Sequence, residues 1–465
     1  MLFIMRNIWK DIVESIRGTE QDFTTGSIGR AIFLLSIPMV LEMLMESVFA
    51  IVDIFFVSRL GAGAIAIVGI TETLMTIIYA LGIGLSMATT ALVARRIGEK
   101  DKKGAAESAV QAILVGLILS TLLAIPAAML SKEILALMKT EPEVIEAGSA
   151  YTTIMLACNG VIMLLFIINA VFRSAGDAAI SMRVLFLANI INIILDPCLI
   201  FGLGPFPELG IKGAAIATTI GRGIAVLYQF YLLFDGKHRI QLAYRHIVIK
   251  SQVMFKLLRL SIGGVGQFLI ATTSWIFLMW IMATFGKEAQ AGYTIAIRIF
   301  VFTLLPSWGM SNAASTMVGQ NLGAKQPNRA ERSVWISAFT NMIFLMLVGI
   351  VFLSIPGILV SIFSSETEVL TVGVLCLKTL SYGFIFYALG MVMSQAFNGA
   401  GDTTTPTILN FICFYIIEVP LAYILAIKAG MQEMGVFLAI TIAESLLGIL
   451  SMIIFRQGRW KLREV

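Results

Sequence analysis

Three acidic residues lie on one face of the first long apolar segment of this sequence. Glu42, Glu46 and Asp53 are spaced at i, i+4 and i+11, and at about 100° per helical residue they fall within about 40° of one another. If the segment spans a membrane, each charge costs on the order of 2.5–3.5 kcal/mol, which marks these acids as candidate functional residues. Pairing within a helix bundle is the alternative for each one. We expect the stripe to face a wet cavity rather than lipid.

A second polar group lies on a later apolar segment. Asn189, Asn192 and Asp196 share a helix face because successive residues are three and four positions apart, and Thr218 lies in the apolar segment that follows. If Asp53 joins Asn192, Asp196 and Thr218, the four side chains offer oxygen ligands that suit a hard cation such as Na⁺. Two neighbouring carboxylates also repel each other, so a proton can replace the metal ion. For Thr218 alone, a hydrogen bond to its own helix is the more common role.

Other polar residues are candidates for supporting roles. Tyr151, Glu42, Glu46 and Asn189 are candidate proton-relay or cavity residues, although an aromatic anchor at the membrane interface is the alternative for Tyr151. Pro38 cannot donate a hydrogen bond to the carbonyl four residues before it, so we expect the first helix to kink there. The kink also offers a place at which the helix can bend.

The bulk composition indicates that a membrane protein positions these residues. The 465 residues are 58% hydrophobic and 13% charged, with a mean hydropathy of +0.92, whereas soluble domains are about 45–50% apolar and about 25% charged. Lipid must therefore solvate much of the surface, and the net charge of +5 reflects basic loops rather than a nucleic-acid site. The four cysteines lie in apolar runs and the two histidines in one polar loop. Neither a disulfide framework nor the nucleophile–base pair of an enzyme is indicated.

The sequence repeats itself at an offset of 225 residues. One offset that holds across almost a whole half indicates duplication of an entire module. The same offset puts apolar residues, Leu278, Ile417 and Leu421, at the positions that correspond to the two aspartates and the asparagine of the first half. Only the first half therefore carries the predicted cation site. Residues that recur include Leu35, Gly61, Val93, Phe172, Gly176 and Asp177, which return as Leu260, Gly286, Val318, Phe397, Gly401 and Asp402.

Twelve apolar runs are long enough to cross about 30 Å of hydrocarbon, six in each half of the repeat. The sequence thus predicts an all-α integral membrane protein of two six-helix lobes related by a parallel internal repeat, a common plan in transporters. We expect residues 30–234 to form the N-lobe, 256–456 the C-lobe and 235–255 a cytoplasmic linker, with cytoplasmic terminal segments at 1–29 and 457–465. Spans 1 to 6 are predicted at 30–57, 64–93, 106–130, 147–172, 180–203 and 211–234, and spans 7 to 12 at 256–284, 290–319, 333–354, 371–397, 406–427 and 435–456.

Basic residues are concentrated on one side of these spans. The terminal segments and the loops after spans 2, 4, 6 and 8 hold 24 lysines and arginines, against six in the loops on the other side. The positive-inside rule then puts both termini in the cytoplasm.

Residues 1–29 are mixed in charge and do not look like a cleavable signal peptide. Their apolar residues recur at helical spacing, which predicts an amphipathic helix on the membrane surface, with a disordered tail as the alternative.

Several short motifs occur in an order and at a spacing that resemble one transporter family. They run from about residue 24 to the C terminus, and together they are specific although each alone is weak. On these motifs the chain resembles the multidrug and toxic compound extrusion (MATE) transporters and is most similar to their DinF-like branch. The motifs are Leu35-Ser36-Ile37-Pro38, Val52-Asp53, Asn192-Ile-Ile-Leu-Asp196-Pro197, Val318-Gly-Gln-Asn-Leu-Gly-Ala324 and Asn398-Gly-Ala-Gly-Asp-Thr403.

The resemblance implies a secondary antiporter in the inner (plasma) membrane of a prokaryote, working as a monomer among membrane lipids. Such a protein exports amphipathic, often cationic small molecules in exchange for Na⁺ or H⁺ by rocking of its lobes. It has no enzymatic activity, cofactor or nucleic-acid partner. The resemblance further implies that Asp53, Asn192, Asp196 and Thr218 form an N-lobe site for the coupling cation, with Tyr151 nearby.

Two departures from the family pattern concern the C-lobe and the cargo. Some members carry acids in spans 7 and 10, where this chain has Gln267 and Lys378, so a C-lobe coupling site of that type is not expected. Glu42 and Glu46 are additional to the polar residues that family members usually carry in span 1. We expect these two acids to face the substrate cavity and to favour cationic cargo. The alternative function is a flippase for lipids or lipid-linked precursors. A flippase needs cationic cavity residues for phosphate cargo, and the acidic cluster disfavours it.

Overall fold

The computed structural model describes residues 2–18 and 22–464, and every regular element in those ranges is helical. Within these ranges, ten helices are long and apolar enough to cross a membrane, and a pair of helices bent by 61° forms one more span. The helix Ile28–Val57 has 30 residues and packs between spans 5 and 8, so it completes the set of twelve. The predicted all-α architecture with two six-helix lobes is confirmed.

The observed helices follow the predicted spans, and several extend beyond them. Span 7 begins at Ser251, inside the expected linker, because the backbone amide of Lys250 binds Gln111 of span 3 at 3.0 Å and fixes the helix start. Spans 1 to 6 are Ile28–Val57, Ala62–Gly98, Lys102–Met129, Pro142–Ala157 with Asn159–Ala175, Ala178–Phe201 and Ile211–Phe234. Spans 7 to 12 are Ser251–Ala283, Lys287–Gly323, Pro327–Ser354, Thr367–Ser381 with Phe384–Ala400, Thr404–Lys428 and Glu433–Arg456.

The internal repeat is visible in how the spans are built. Spans 4 and 10, which correspond at the offset of 225, are both broken into two helices. Each of them ends at a glycine in the left-handed region, Gly176 with φ of 94° and Gly401 with φ of 85°. A side chain at either position would strain the backbone. The duplicated glycine therefore sets the same sharp exit from the span in both lobes.

The two lobes pack on each other through spans 1 and 2 of the N-lobe and spans 7 and 8 of the C-lobe. We call the end of the bundle where odd-numbered spans begin and even-numbered spans end the basic face. At this face a Cβ on Gly98 would lie 1.9 Å from the Gln320 carbonyl oxygen, and one on Gly323 would lie 2.1 Å from that of Arg95. Backbones approach this closely only where the side chain is absent. The lobes are therefore closed against each other at the basic face.

We expect Gly98→Ala to shift the lobes away from this closed packing, because the added methyl group overlaps the Gln320 carbonyl. Gly69→Ala in the same span is the matched control, since nothing lies within 4 Å of a Cβ there. The measurement is the spin-label distance between Lys103 of the N-lobe and Asn328 of the C-lobe in an otherwise cysteine-free background. The distribution should move to longer distances in Gly98→Ala alone, and an unchanged distribution would refute the tight contact.

The N-terminal helix Leu2–Arg17 packs against span 1 close to its proline. Pro38 leaves the Leu34 carbonyl without its helical donor, and the buried Ser15 hydroxyl donates to that carbonyl at 2.8 Å. Arg30 of span 1 pairs with two acidic side chains of the same helix at 3.0 and 2.7 Å. Of the two expectations for this segment, the helix is observed, and its place on the membrane surface stays a prediction. It supplies the hydrogen bond that span 1 lacks.

We expect Ser15→Ala to lower the free energy of unfolding by about 1–3 kcal/mol, because it leaves a buried carbonyl without a donor. Ser47→Ala is the control, since that hydroxyl bonds only to the Met43 carbonyl of its own helix, at 3.3 Å. The free energy of unfolding of each variant is measured in a denaturing detergent, with circular dichroism as the signal. Equal stability of the two variants would show that Ser15 does not compensate for the proline.

Candidate functional site

The predicted cation-site residues lie together in the interior of the N-lobe. Asp53, Asn192, Asp196 and Thr218 are all buried. The Asn192 side-chain amide donates to Asp196 Oδ1 at 3.1 Å and to the Thr218 hydroxyl at 3.5 Å. Asp53 of span 1 lies within electrostatic range of the Asp196 carboxylate. Spans 1, 5 and 6 thus bring the four predicted side chains to one polar pocket, which we call the N-lobe pocket.

Three oxygens of the N-lobe pocket are buried without a hydrogen-bond donor: Asp53 Oδ1, Asn192 Oδ1 and Asp196 Oδ2. Buried acceptors normally have a partner, because leaving one unsatisfied costs about 1–3 kcal/mol. Across the described ranges, neither carboxylate is within ion-pairing distance of a lysine or arginine, unlike two other acids of span 1. A bound cation or a proton would satisfy these oxygens.

The composition of the N-lobe pocket favours a small monovalent cation over a transition metal. Within residues 2–18 and 22–464, no group of three or more His, Cys, Asp or Glu side chains is arranged to hold a metal ion. The pocket instead offers two carboxylates with an amide and a hydroxyl oxygen, which are hard ligands of the kind that suit Na⁺. The same carboxylates can take up a proton.

Two of the predicted supporting residues lie beside the N-lobe pocket. Tyr151 of span 4 is buried and interacts electrostatically with both Asp53 and Asp196. Asn189 donates its side-chain amide to the Met45 carbonyl of span 1 at 2.7 Å. This bond connects span 5 to span 1 about two turns before Asp53. Asn189 therefore positions the helix that carries the first carboxylate.

The expectation that Glu42 faces the substrate cavity is wrong. Its side chain is only 2% exposed, and it accepts hydrogen bonds from Arg173 at 2.5 Å and from Asn169 at 3.1 Å. The predicted span 4 ends at residue 172, which leaves Arg173 in the basic loop that follows, whereas the observed helix continues through Arg173 and turns its guanidinium inward. The acid is therefore neutralised inside the lobe.

The repeat contains a signal for this ion pair. At the offset of 225, Glu42 corresponds to Gln267 and Arg173 corresponds to Asn398. These two amides also bind each other, at 3.0 and 3.1 Å. The same contact between spans 1 and 4 recurs between spans 7 and 10, charged in one lobe and neutral in the other. The duplicated contact has a structural role in both lobes.

Glu46 has a second buried arginine as its partner. Arg222 of span 6 donates to Glu46 at 3.0 Å, and its guanidinium lies over the Phe49 ring at 4.4 Å from the centroid. The Glu46 side chain is 37% exposed, so it stays at a surface of the lobe, but its charge is paired. Arg222 also interacts with Tyr79 and Glu72 of span 2. Two arginines thus neutralise Glu42 and Glu46, whereas no lysine or arginine in the described part of the chain forms an ion pair with the aspartates of the N-lobe pocket.

Comparison with known proteins agrees with this architecture. The family model MatE matches the chain twice, at residues 38–198 and 264–424. The chain is 25% identical over 442 residues to the probable multidrug resistance protein NorM of Thermotoga maritima, covering 94% of each sequence. It is 27% identical over 424 residues to an FAD transporter of Shewanella oneidensis, covering 91% of this chain and 93% of that protein.

A solved structure described as the outward-facing conformation of a multidrug resistance MATE family transporter of the MOP superfamily has a TM-score of 0.88 and 26% identity. It covers 95% of this chain and 98% of the other. The two family matches fall in the two lobes, as the repeat predicts. The chain therefore belongs to the MatE family, whose members include multidrug efflux transporters.

Proposed function

We propose that this protein is a secondary antiporter that exports amphipathic cationic small molecules in exchange for Na⁺ or H⁺, and that the coupling cation binds in the N-lobe pocket. The observation that carries the proposal is the set of three buried oxygens without a donor on Asp53, Asn192 and Asp196. The multidrug resistance and export proteins among the relatives support small-molecule cargo. We further propose a monomer in a prokaryotic inner membrane, with the basic face and both termini in the cytoplasm.

The N-lobe pocket can couple cation binding to movement of the lobes because its residues lie on different spans. Without a cation the carboxylates of Asp53 and Asp196 repel each other, and a bound Na⁺ or proton removes that repulsion. Span 1, which carries Asp53, also packs along span 8 of the C-lobe. A shift of span 1 therefore changes the contact between the lobes. Antiport results if the cation and the cargo stabilise opposite arrangements of the two lobes. Binding of each ligand then lowers the affinity for the other by the same factor, because the coupling free energy is reciprocal.

Transport by the purified protein in liposomes tests this function. An inward Na⁺ or proton gradient is imposed, and uphill movement of ethidium is followed by fluorescence. We expect one of the two gradients to drive ethidium transport and an ionophore for that ion to abolish it. Flipping of a fluorescent phospholipid is measured in the same vesicles. Lipid flipping without gradient-driven ethidium transport would support the flippase alternative and refute the proposal.

A further inference from the structure

A cavity of about 410 Å³ lies in the C-lobe. Pockets for drug-sized ligands measure roughly 300–1,000 Å³ and are mostly apolar with a few polar groups. The walls come from spans 7, 8, 10, 11 and 12, and two residues of span 2, Ile83 and Met87, close the side toward the N-lobe. The aromatic side chains that line this C-lobe cavity are Phe268, Trp275, Trp308, Tyr387 and Phe414.

An acidic side chain lines one side of the C-lobe cavity. Among the described residues that line it, Glu444 of span 12 is the only one with a formally charged side chain. Glu444 is 7% exposed, and its carboxylate lies within hydrogen-bonding reach of the Tyr387 hydroxyl. Arg298 of span 8 and Lys378 of span 10 are both exposed, and neither lines the cavity. No basic side chain in the described part of the chain pairs with Glu444.

A second acid lies close to Glu444 but does not line the cavity. Glu418 of span 11 is buried, its Oε2 has no hydrogen-bond partner, and it interacts electrostatically with Glu444. It ends the π-helical stretch Phe411–Glu418, and such stretches are frequent at functional sites. The two acids make this side of the C-lobe cavity attractive for a cation. Glu418 is not among the lining residues, so Glu444 is the one that a ligand can touch.

We propose that the C-lobe cavity binds the cargo, and that it selects a flat aromatic monocation whose positive nitrogen lies against Glu444 while its rings pack on Trp275 and Phe414. A desolvated carboxylate beside aromatic faces attracts a cation both directly and through the rings. A neutral ligand of the same shape gains only the ring contacts, and an anion is repelled. This inference rests on the proposed export function and adds to it the place and charge of the cargo.

The arrangement also separates the two ligands of an antiporter. The N-lobe pocket is polar, and its oxygens without donors suit an inorganic cation or a proton. The C-lobe cavity of about 410 Å³ is aromatic, with one acidic side chain at its edge. At the offset of 225, Glu444 corresponds to Thr219, the neighbour of Thr218. Related places in the two lobes thus carry the two proposed sites.

Equilibrium binding to the full-length protein in detergent, with no ion gradient, tests the inference. Ethidium is the cationic probe, and N-phenyl-1-naphthylamine is the neutral aromatic probe. We expect Glu444→Gln to weaken ethidium binding at least tenfold and to change the affinity for the neutral probe less than threefold. Glu444→Asp, which keeps the charge, should stay within about threefold of the wild type for both probes. Glu433→Gln, the same change at the start of span 12, is the matched control.

Each outcome decides the inference without reference to transport. Wild-type ethidium affinity in Glu444→Gln would overturn it, as would an equal loss of both probes in that variant. Retained binding of the neutral probe shows that the variant is folded. If ethidium binding depends on Glu444 but no ion gradient drives transport, the export proposal fails while this site stands. If a gradient drives transport but Glu444→Gln binds ethidium normally, only the cargo site is wrong.

Discussion

Asp53→Asn and Asp196→Asn are each expected to reduce gradient-driven export of ethidium by at least about tenfold. Each change replaces one charged ligand of the N-lobe pocket by a neutral amide of nearly the same size. Interactions with a charged group contribute about 1.5–3 kcal/mol, and about 1.4 kcal/mol corresponds to a factor of ten in binding. Neither carboxylate has an arginine partner in the described structure, so the loss falls on cation binding rather than on an ion pair. The measurement is initial export rate in liposomes under the driving gradient.

The control for this prediction separates coupling from folding. Equilibrium binding of ethidium by both variants should remain within about threefold of the wild type, because the proposed cargo cavity lies in the other lobe. Thr218→Val should show a smaller reduction in export, and Thr219→Val at the next position should show none. Wild-type export rates in both aspartate variants would remove the N-lobe pocket from the mechanism.

Arg173→Met is expected to destabilise the protein by about 3–5 kcal/mol, the usual cost of removing one partner from a buried ion pair. The substitution leaves the Glu42 carboxylate buried with only Asn169 as a donor. Methionine keeps much of the volume of the arginine stem, so loss of packing is a minor part of the effect. The free energies of unfolding of the wild type and of Arg173→Met are compared in a denaturing detergent.

The C-lobe provides the matched control for this second prediction. The double variant Glu42→Gln with Arg173→Asn copies the amide pair that Gln267 and Asn398 form at the corresponding place. We expect it to recover most of the stability lost in Arg173→Met, because no charge remains buried and each amide finds the other. If Arg173→Met were as stable as the wild type, Glu42 would not depend on this arginine.

The twelve spans and the two lobes could be predicted because lipid imposes strong constraints on sequence. Every span must be about twenty apolar residues long, and duplication preserved the module closely enough for one offset to align both halves. Part of the N-lobe pocket was predictable from the same patterns. Asn192 and Asp196 share a face of span 5, and the second half has apolar residues at the matching positions. Only the family resemblance implied that Asp53 and Thr218, on two other spans, join them.

The partners of the buried acids could not be predicted in the same way. Helical spacing shows which face a residue occupies but not which distant helix packs there. Arg173 was placed in a basic loop because it lies at the end of an apolar run, and Arg222 had no visible partner in its own span. The Ser15 hydroxyl that binds the Leu34 carbonyl likewise joins segments that no local pattern relates.

The C-lobe acids illustrate a different difficulty. Glu418 ends a π-helical stretch, in which a turn holds more residues than an α-helical turn. A period of 3.6 residues therefore misplaces its side chain around the helix axis. Glu418 and Glu444 are ionisable residues of spans 11 and 12 in the sequence, but no sequence pattern shows that Glu444, and not Glu418, lines a cavity.

Cation binding itself is the most direct test of the central claim that the N-lobe pocket holds the coupling ion. The purified protein is titrated with radioactive Na⁺ and, separately, with acid in the absence of cargo, and bound Na⁺ and protons are counted. We predict that the wild type and the double variant Glu418→Gln with Glu444→Gln bind the coupling cation equally, whereas Asp53→Asn and Asp196→Asn lose it. Loss of that binding in the C-lobe double variant, with full binding in both aspartate variants, would contradict the account.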